Sequence, residues 1–376
     1  MATLQVRGLR KHYGKTAAVD GVDFSVGDGE FFVILGPSGA GKTTTLKGIA
    51  GLVETDEGTV EIAGRDMTGI EPYHRNVAMA FESYALYPQR TVAQNLASPL
   101  RSGRTGRYSE SEQRDRIAAV TQTLGIDHLL ERLPRELSNG QRQRTALGRV
   151  LVRPADIYLL DEPLSHLDAK LRAAMRAELK SLGQMSDTTT LYVTHDYQEA
   201  LALGDRIAVL RSGRLVQIGS PAEVWRTPAD TFVAKALGQP EINIVDAEVS
   251  DGRISTLGSS FTPGADLDLG RGDRVRLGLR PSEIQVDHGE QGPGEALELT
   301  GRVRLAERLG RQIELTVDVA GTDLIVVDAA ELRPAEGDQV RLRVPLHQVH
   351  VFAAGGDGEE TERLGAAAPR PAKEAR

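Results

Sequence analysis

The chain has 376 residues, 40% of them hydrophobic and 26% charged, with a formal net charge of −8 and no cysteine. That length holds two or three domains and at least one large core. The acidic balance weighs against a general nucleic-acid binder, and the absence of thiols excludes disulfides and thiolate metal sites.

Met1–Arg7 carries no apolar signal-peptide core. No run approaches the ~18 apolar residues of a spanning helix, so a membrane role is expected to be peripheral. Strand-like alternation opens the chain at Leu4/Val6 and Val19–Phe24, followed by the apolar run Phe31–Leu35. Gly36-Pro37-Ser38-Gly39-Ala40-Gly41-Lys42-Thr43 comes next, the pattern G-x-x-x-x-G-K-[ST] between a buried strand and an expected helix over 43–52. Its glycines let successive N–H groups face one phosphate chain at a helix N-terminus. Lys42 is expected to reach the β- and γ-phosphates and the Thr43 hydroxyl to hold Mg²⁺, with Thr44 next to them. Alone, this loop says nucleotide and leaves kinase, GTPase and motor readings open.

Further strands are expected at Val60–Ile62 and Val77–Phe81. The pattern from Val92 to Val152 is mainly helical, with polar joints at 102–106 and 138–140. The buried strand Ile157–Leu160, a helix over 168–185 and the strand Thr189–Val193 complete an α/β alternation with a helical insert. After Gly238 come short β-like pieces at 244–245, 275–279, 284–286, 301–305, 313–317, 324–327 and 340–344, punctuated by Gly, Pro and Asp. They predict a small barrel or sandwich. Residues 356–376 are rich in Gly, Ala, Glu and Pro and are expected to be a disordered tail.

Five further segments stand in a fixed order. Leu137-Ser138-Asn139-Gly140-Gln141 resembles the LSGGQ signature of ATP-binding-cassette (ABC) ATPases. Ile157–Pro163 resembles Walker B with its following carboxylate, Ser165–Asp168 the D-loop, and Thr194-His195-Asp196 the switch histidine. Lys11-His12-Tyr13-Gly14 occupies the A-loop position. Two stretches narrow the resemblance to sugar-import ATPases of the maltose and glycerol-phosphate type: Ser83–Pro88, and Leu277–Glu283, which is similar to the LG[IV]RPE segment of their C-terminal domain.

The resemblance implies a P-loop ABC cassette over 1–237, with a helical subdomain at roughly 84–155. An all-β, oligonucleotide-binding-like (TOBE) regulatory domain would occupy 238–355. It implies that Tyr13 stacks on adenine and that Asp161, with Thr43, supports Mg²⁺. Glu162 would be the general base and His195 the γ-phosphate contact. Ser138, Asn139, Gly140 and Gln141 would face ATP held by a second chain, with Asp168 alongside. Asn139 replaces the usual second glycine; asparagine tolerates left-handed backbone better than most residues. Glu82 stands where the family has glutamine and inherits its Mg²⁺/water role; a carboxylate only accepts hydrogen bonds where an amide also donates.

The implied function is transport-coupled ATP hydrolysis energising uptake of a carbohydrate or polyol. The expected partners are two integral membrane permease subunits, a second ATPase chain (the same or a paralogue) and an extracytoplasmic solute-binding protein, with no nucleic acid. The Glu82–Pro88 stretch and adjoining helices are the expected docking surface. The expected location is peripheral, on the cytoplasmic face of the cell membrane. Polyamine, metal or oxyanion import, and a nucleotide-sensing regulator, are the alternatives.

Overall fold

The computed structural model describes residues 2–81, 86–101, 108–165, 167–186, 188–265, 267, 269, 274–287, 295–329, 334–356 and 358–369. The chain divides into two compact units, 1–222 and 223–376.

In the first unit, β1 (Leu4–Tyr13) and β2 (Thr16–Val26) form a long antiparallel hairpin. After β3 (Phe31–Leu35) and α1 (Lys42–Ala50) come β4 (Glu57–Ile62), β5 (Arg65–Asp66) and β6 (Val77–Ala80). The helical insert is α2 (Val92–Arg101), α3 (Glu110–Thr123) and α4 (Asn139–Leu151). Then follow β7 (Ile157–Asp161), α5 (Ala169–Ser186), β8 (Thr189–Thr194), α6 (Tyr197–Leu203), β9 (Arg206–Arg211) and β10 (Arg214–Gly219). The central sheet runs β10-β9-β3-β8-β7-β6, parallel except for the β10 edge, beside the antiparallel sheet β2-β1-β4-β5. β3, β7 and β8 are buried at every position, as strands covered on both faces must be. Their C-terminal ends deliver Gly36, Glu162 and His195 to the same edge, where open α/β sheets bind ligands.

The second unit starts within α7 (Pro221–Arg226) and continues with α8 (Thr231–Ala236). Its strands are β11 (Asn243–Ser250), β12 (Arg253–Thr256), β13 (Ser259–Phe261), β14 (Arg274–Leu279), β15 (Gln285–Val286), β16 (Ala296–Leu309), β17 (Gln312–Val319), β18 (Thr322–Ala329), β19 (Gln339–Pro345), β20 (His350–Ala353) and β21 (Arg363–Ala366). They form two sheets, β13-β12-β11-β14-β20-β21 and β15-β19-β16-β17-β18, antiparallel at every pairing among the described residues. Residues of both sheets share one apolar core. β16 begins with strict in–out alternation, the mark of a half-buried strand.

The helices after residue 222 belong with the β unit. The buried Arg280 donates to Leu237 O (2.9 Å) and Trp225 O (2.8 Å), with its guanidinium 3.8 Å from the Trp225 ring centroid. The tail is also ordered further than its composition suggests: β21 pairs with β20, and Ala367 is fully buried. A composition argument misses this because the ladder partner lies elsewhere in the chain. Finally, Asn139 opens α4 with helical backbone and is absent from the positive-φ positions, so no left-handed conformation is required of it. The 102–106 joint lies outside the described residues.

Candidate active site

The phosphate-loop segment is shaped by contacts that only glycine permits. Gly41 has φ +100°, and a Cβ there would lie 2.2 Å from Ala18 O; one at Gly36 would lie 2.4 Å from Leu210 O. Pro37, Ser38 and Gly39 are exposed while Ala40 is buried, so the loop shows its crest and packs its base. α1 starts at Lys42 with Thr43 and Thr44 in its first turn and stops at Gly51, whose φ of 73° gives a left-handed cap.

Lys42 is only 5% exposed. Its Nζ donates to Gly36 O (2.8 Å) and Pro37 O (3.0 Å) and lies 3.4 Å from Glu162 Oε1. A buried ammonium needs such compensation. Glu162 follows β7 at φ 45°, held by its N–H to Val193 O (3.0 Å). Left-handed backbone at a non-glycine residue costs about 1–3 kcal/mol and concentrates at functional sites. His195 Nδ1 is 2.8 Å from Glu162 Oε2, although the ring is half exposed. With Glu162 ionised, Nδ1 is the donor in that pair. Thr43 Oγ1 donates to the buried Asp161 at 3.0 Å. Together these two groups offer a hydroxyl and a carboxylate oxygen, the hard donors Mg²⁺ takes. Among the described residues, no cluster of three acidic or histidine side chains forms a cage of its own.

Other predicted residues stand apart from this centre in contact terms. Tyr13 ends β1 with 52% exposure, and Lys11 Nζ sits 5.7 Å from its ring centroid. Ser138 caps α4: its hydroxyl accepts from Gln141 N (3.3 Å), while Gln141 Oε1 accepts from Ser138 N (2.9 Å). Gln141 is therefore engaged in a capping box. Asn139 Oδ1 accepts from Arg142, and a Cβ on Gly140 would touch Leu167 at 3.2 Å. Asp168 Oδ1 accepts from Leu171 N (2.9 Å). Glu82 lies outside the described residues.

Three supporting residues escaped the sequence reading. Asp56 accepts from His12 N (2.6 Å) and Lys11 Nζ (2.9 Å), pinning the end of β1 beside Tyr13. The Lys11 hydrogen bond, then that of the His12 backbone, holds its carboxyl down at about 2. Asn95, fully buried, accepts from Tyr87 N and donates to Tyr87 O, Arg90 O and Thr91 O, fixing the loop before α2. Glu199, 3% exposed, accepts from Tyr192 OH and Thr194 Oγ1, both at 2.8 Å. Burial pushes its carboxyl up, against those two hydrogen bonds. The capping offset from Asp196 to Glu199 was the only local signal for any of them.

The ABC transporter family profile matches residues 19–165, and the TOBE domain profile matches 277–352. An sn-glycerol-3-phosphate import ATP-binding protein of Rhizobium johnstonii is 39% identical over 357 residues, covering 94% of this chain and 95% of the relative. The chain belongs to the ABC transporter ATP-binding proteins. This ABC ATPase is also 42% identical over 368 residues to a trehalose/maltose import ATP-binding protein of Thermococcus litoralis, covering 94% and 98% of the two chains. Among solved structures, a dimeric post-hydrolysis ATP-binding cassette bound to ADP and Pi matches with a TM-score of 0.54 and 28% identity. It covers 58% of the ABC ATPase and 98% of the cassette. The ABC ATPase therefore binds and hydrolyses ATP through the cassette fold, followed by an all-β TOBE region.

Proposed function

We propose that this ATPase energises import of a carbohydrate or polyol through two separate membrane permease subunits, as one of two cassettes that close on two ATP molecules. The observation that carries the chemistry is the carboxylate of Glu162, set between Lys42 Nζ and His195 Nδ1 at the rim of the phosphate loop. Glu162 is the general base that orients the attacking water and takes its proton. The γ-phosphate competes with Gly36 O, Pro37 O and Glu162 for Lys42, freeing the carboxylate for water. His195 moves from Glu162 towards the transferring group, where its ring stabilises developing charge. Thr43 and Asp161, with Glu82 as a further contact, would hold Mg²⁺, which when bound would offset charge on the phosphate oxygens. Tyr13 offers its exposed face to adenine.

Ser138, Asn139, Gly140 and Gln141, at the N-terminus of α4, face ATP on the second chain, with Asp168 beside them. The cargo reading rests on the near-full-length likeness to import proteins named for glycerol phosphate and for trehalose/maltose. The cassette is assigned to residues 1–237 and the TOBE-containing regulatory domain to 238–355. The permease is assigned to a cleft of about 320 Å³ whose lining includes Tyr73, Met79, Tyr87, Pro99, Arg149 and Arg153. Among the described residues no helix is long and apolar enough to cross a membrane. Peripheral attachment on the cytoplasmic face follows from permease docking, and an external binding protein supplies the solute.

The test is steady ATPase of the chain reconstituted with its permease. Glu162→Gln is expected to lower kcat by about 10² or more with ATP binding retained. The complex should take up a carbohydrate or polyol. Unchanged turnover in Glu162→Gln would overturn the mechanism, and uptake of a polyamine or oxyanion instead would overturn the cargo.

A further inference from the structure

Arg172, one turn beyond Asp168 on α5, joins the loop before α5 to the turn between β8 and α6. Its Nη2 donates to Leu167 O (3.1 Å), the carbonyl preceding Asp168. Its Nη1 donates to Asp196 Oδ2 (3.2 Å), and its Nε lies 4.0 Å from Glu199 Oε1.

Those acidic partners define the turn that carries His195. Asp196 Oδ1 accepts from Gln198 N (2.8 Å) and Glu199 N (3.3 Å), while Asp196 N donates to Thr194 Oγ1 (2.9 Å). Thr194 Oγ1 in turn donates to the buried Glu199. The residues on either side of His195 are thus both held, while its own ring remains half exposed and touches Glu162. Burying Glu199 opposes its ionised form, and a partly exposed arginine 4.0 Å away offsets little of that cost. The directional contacts of Arg172 therefore set position more than they add stability.

We propose that Arg172 is a positioning residue that couples the Asp168 loop to the His195 turn, so that arrival of the second cassette at Asp168 is transmitted to His195 and Glu162. Arg172 touches neither substrate nor the reacting atoms. The coupling rests on the reading of Asp168 as dimer-facing and of His195 as facing the γ-phosphate.

The full chain is compared with Arg172→Gln, Arg172→Lys, Asp168→Ala, Asp196→Asn and the double variant Arg172→Gln/Asp168→Ala, by kcat, KM for ATP and thermal unfolding. Arg172→Gln is expected to lower kcat about ten-fold or more, with KM within about two-fold of the wild type. Arg172→Lys should recover part of the loss. In the Asp168→Ala background, Arg172→Gln should cost little further, because both act on one element. Full multiplication of the two losses, or a raised KM at unchanged kcat, would overturn the coupling. Should Arg172→Gln unfold, Asp196→Asn decides the matter: it keeps an oxygen to cap α6 while removing the charge that Arg172 Nη1 meets, and unchanged kcat in a folded Asp196→Asn protein overturns the proposal. Wild-type ATPase indifferent to Glu162→Gln would instead sink the catalytic reading, and the coupling with it.

Discussion

Lys42 is a buried cation whose partners in the structure are two carbonyls and one carboxylate. Its position depends on Gly41, because any side chain there must displace Ala18 O at 2.2 Å and adopt φ +100°. Gly41→Ala is therefore expected to lower ATP affinity by about ten-fold or more, with the positive φ alone costing about 1–3 kcal/mol; titration calorimetry with a non-hydrolysable ATP analogue reads this directly. Ser138 offers a second separation at this scale. As a cap it contributes about 0.5–2 kcal/mol, and Ser138→Ala should lower the melting temperature accordingly. If Ser138 also faces the second chain's ATP, turnover should fall well beyond what that loss of stability explains at a temperature where the variant is folded.

Elements turn these residues into a site. β3, β7 and β8 are parallel neighbours, so Gly36, Glu162 and His195 emerge side by side although 33 to 159 positions separate them. The A-loop end of β1, paired with β2, is held from β4's side by the carboxylate of Asp56. In the unfolded chain that carboxyl titrates near 3.8 and in the fold near 2, so on acidification the unfolded state takes up the proton first. Its contribution is complete above about pH 4 and is lost as pH falls towards about 2. Asp56→Asn should flatten the dependence of unfolding stability on pH across that window, as followed by urea titrations at stepped pH. An unchanged slope would mean that the Lys11 and His12 contacts are not held in solution.

At the scale of the whole molecule, two units with separate cores carry the chain. The proposed ATP site draws its residues from the first unit. Separate cores with separate ligand linkage predict two calorimetric transitions. A non-hydrolysable ATP analogue with Mg²⁺ at ~100 Kd adds about 2.7 kcal/mol to whichever unit binds it. For a unit of this size that is roughly 5–10 °C in the melting temperature. The shift is expected in one transition and not the other; equal shifts in both would show the units unfold as one.

The local motifs and strand pattern of this chain determined the phosphate loop, the buried strands and the all-β second half. Chemistry that depends on adjacent residues is written in adjacent residues: Gly41 before Lys42, Ser138 three before Gln141, Asp161 beside Glu162. The resemblance to the ABC family supplied the roles those motifs play. Only the tertiary structure decided the rest. Asp56 reaches Tyr13's strand from 44 positions beyond His12, β21 completes a sheet from within a composition that reads as tail, and Arg172 meets Asp196 across two elements. The physical reason is the same in each case. A hydrogen bond between distant segments needs only one donor and one acceptor, and that leaves no periodicity or spacing in the sequence to read.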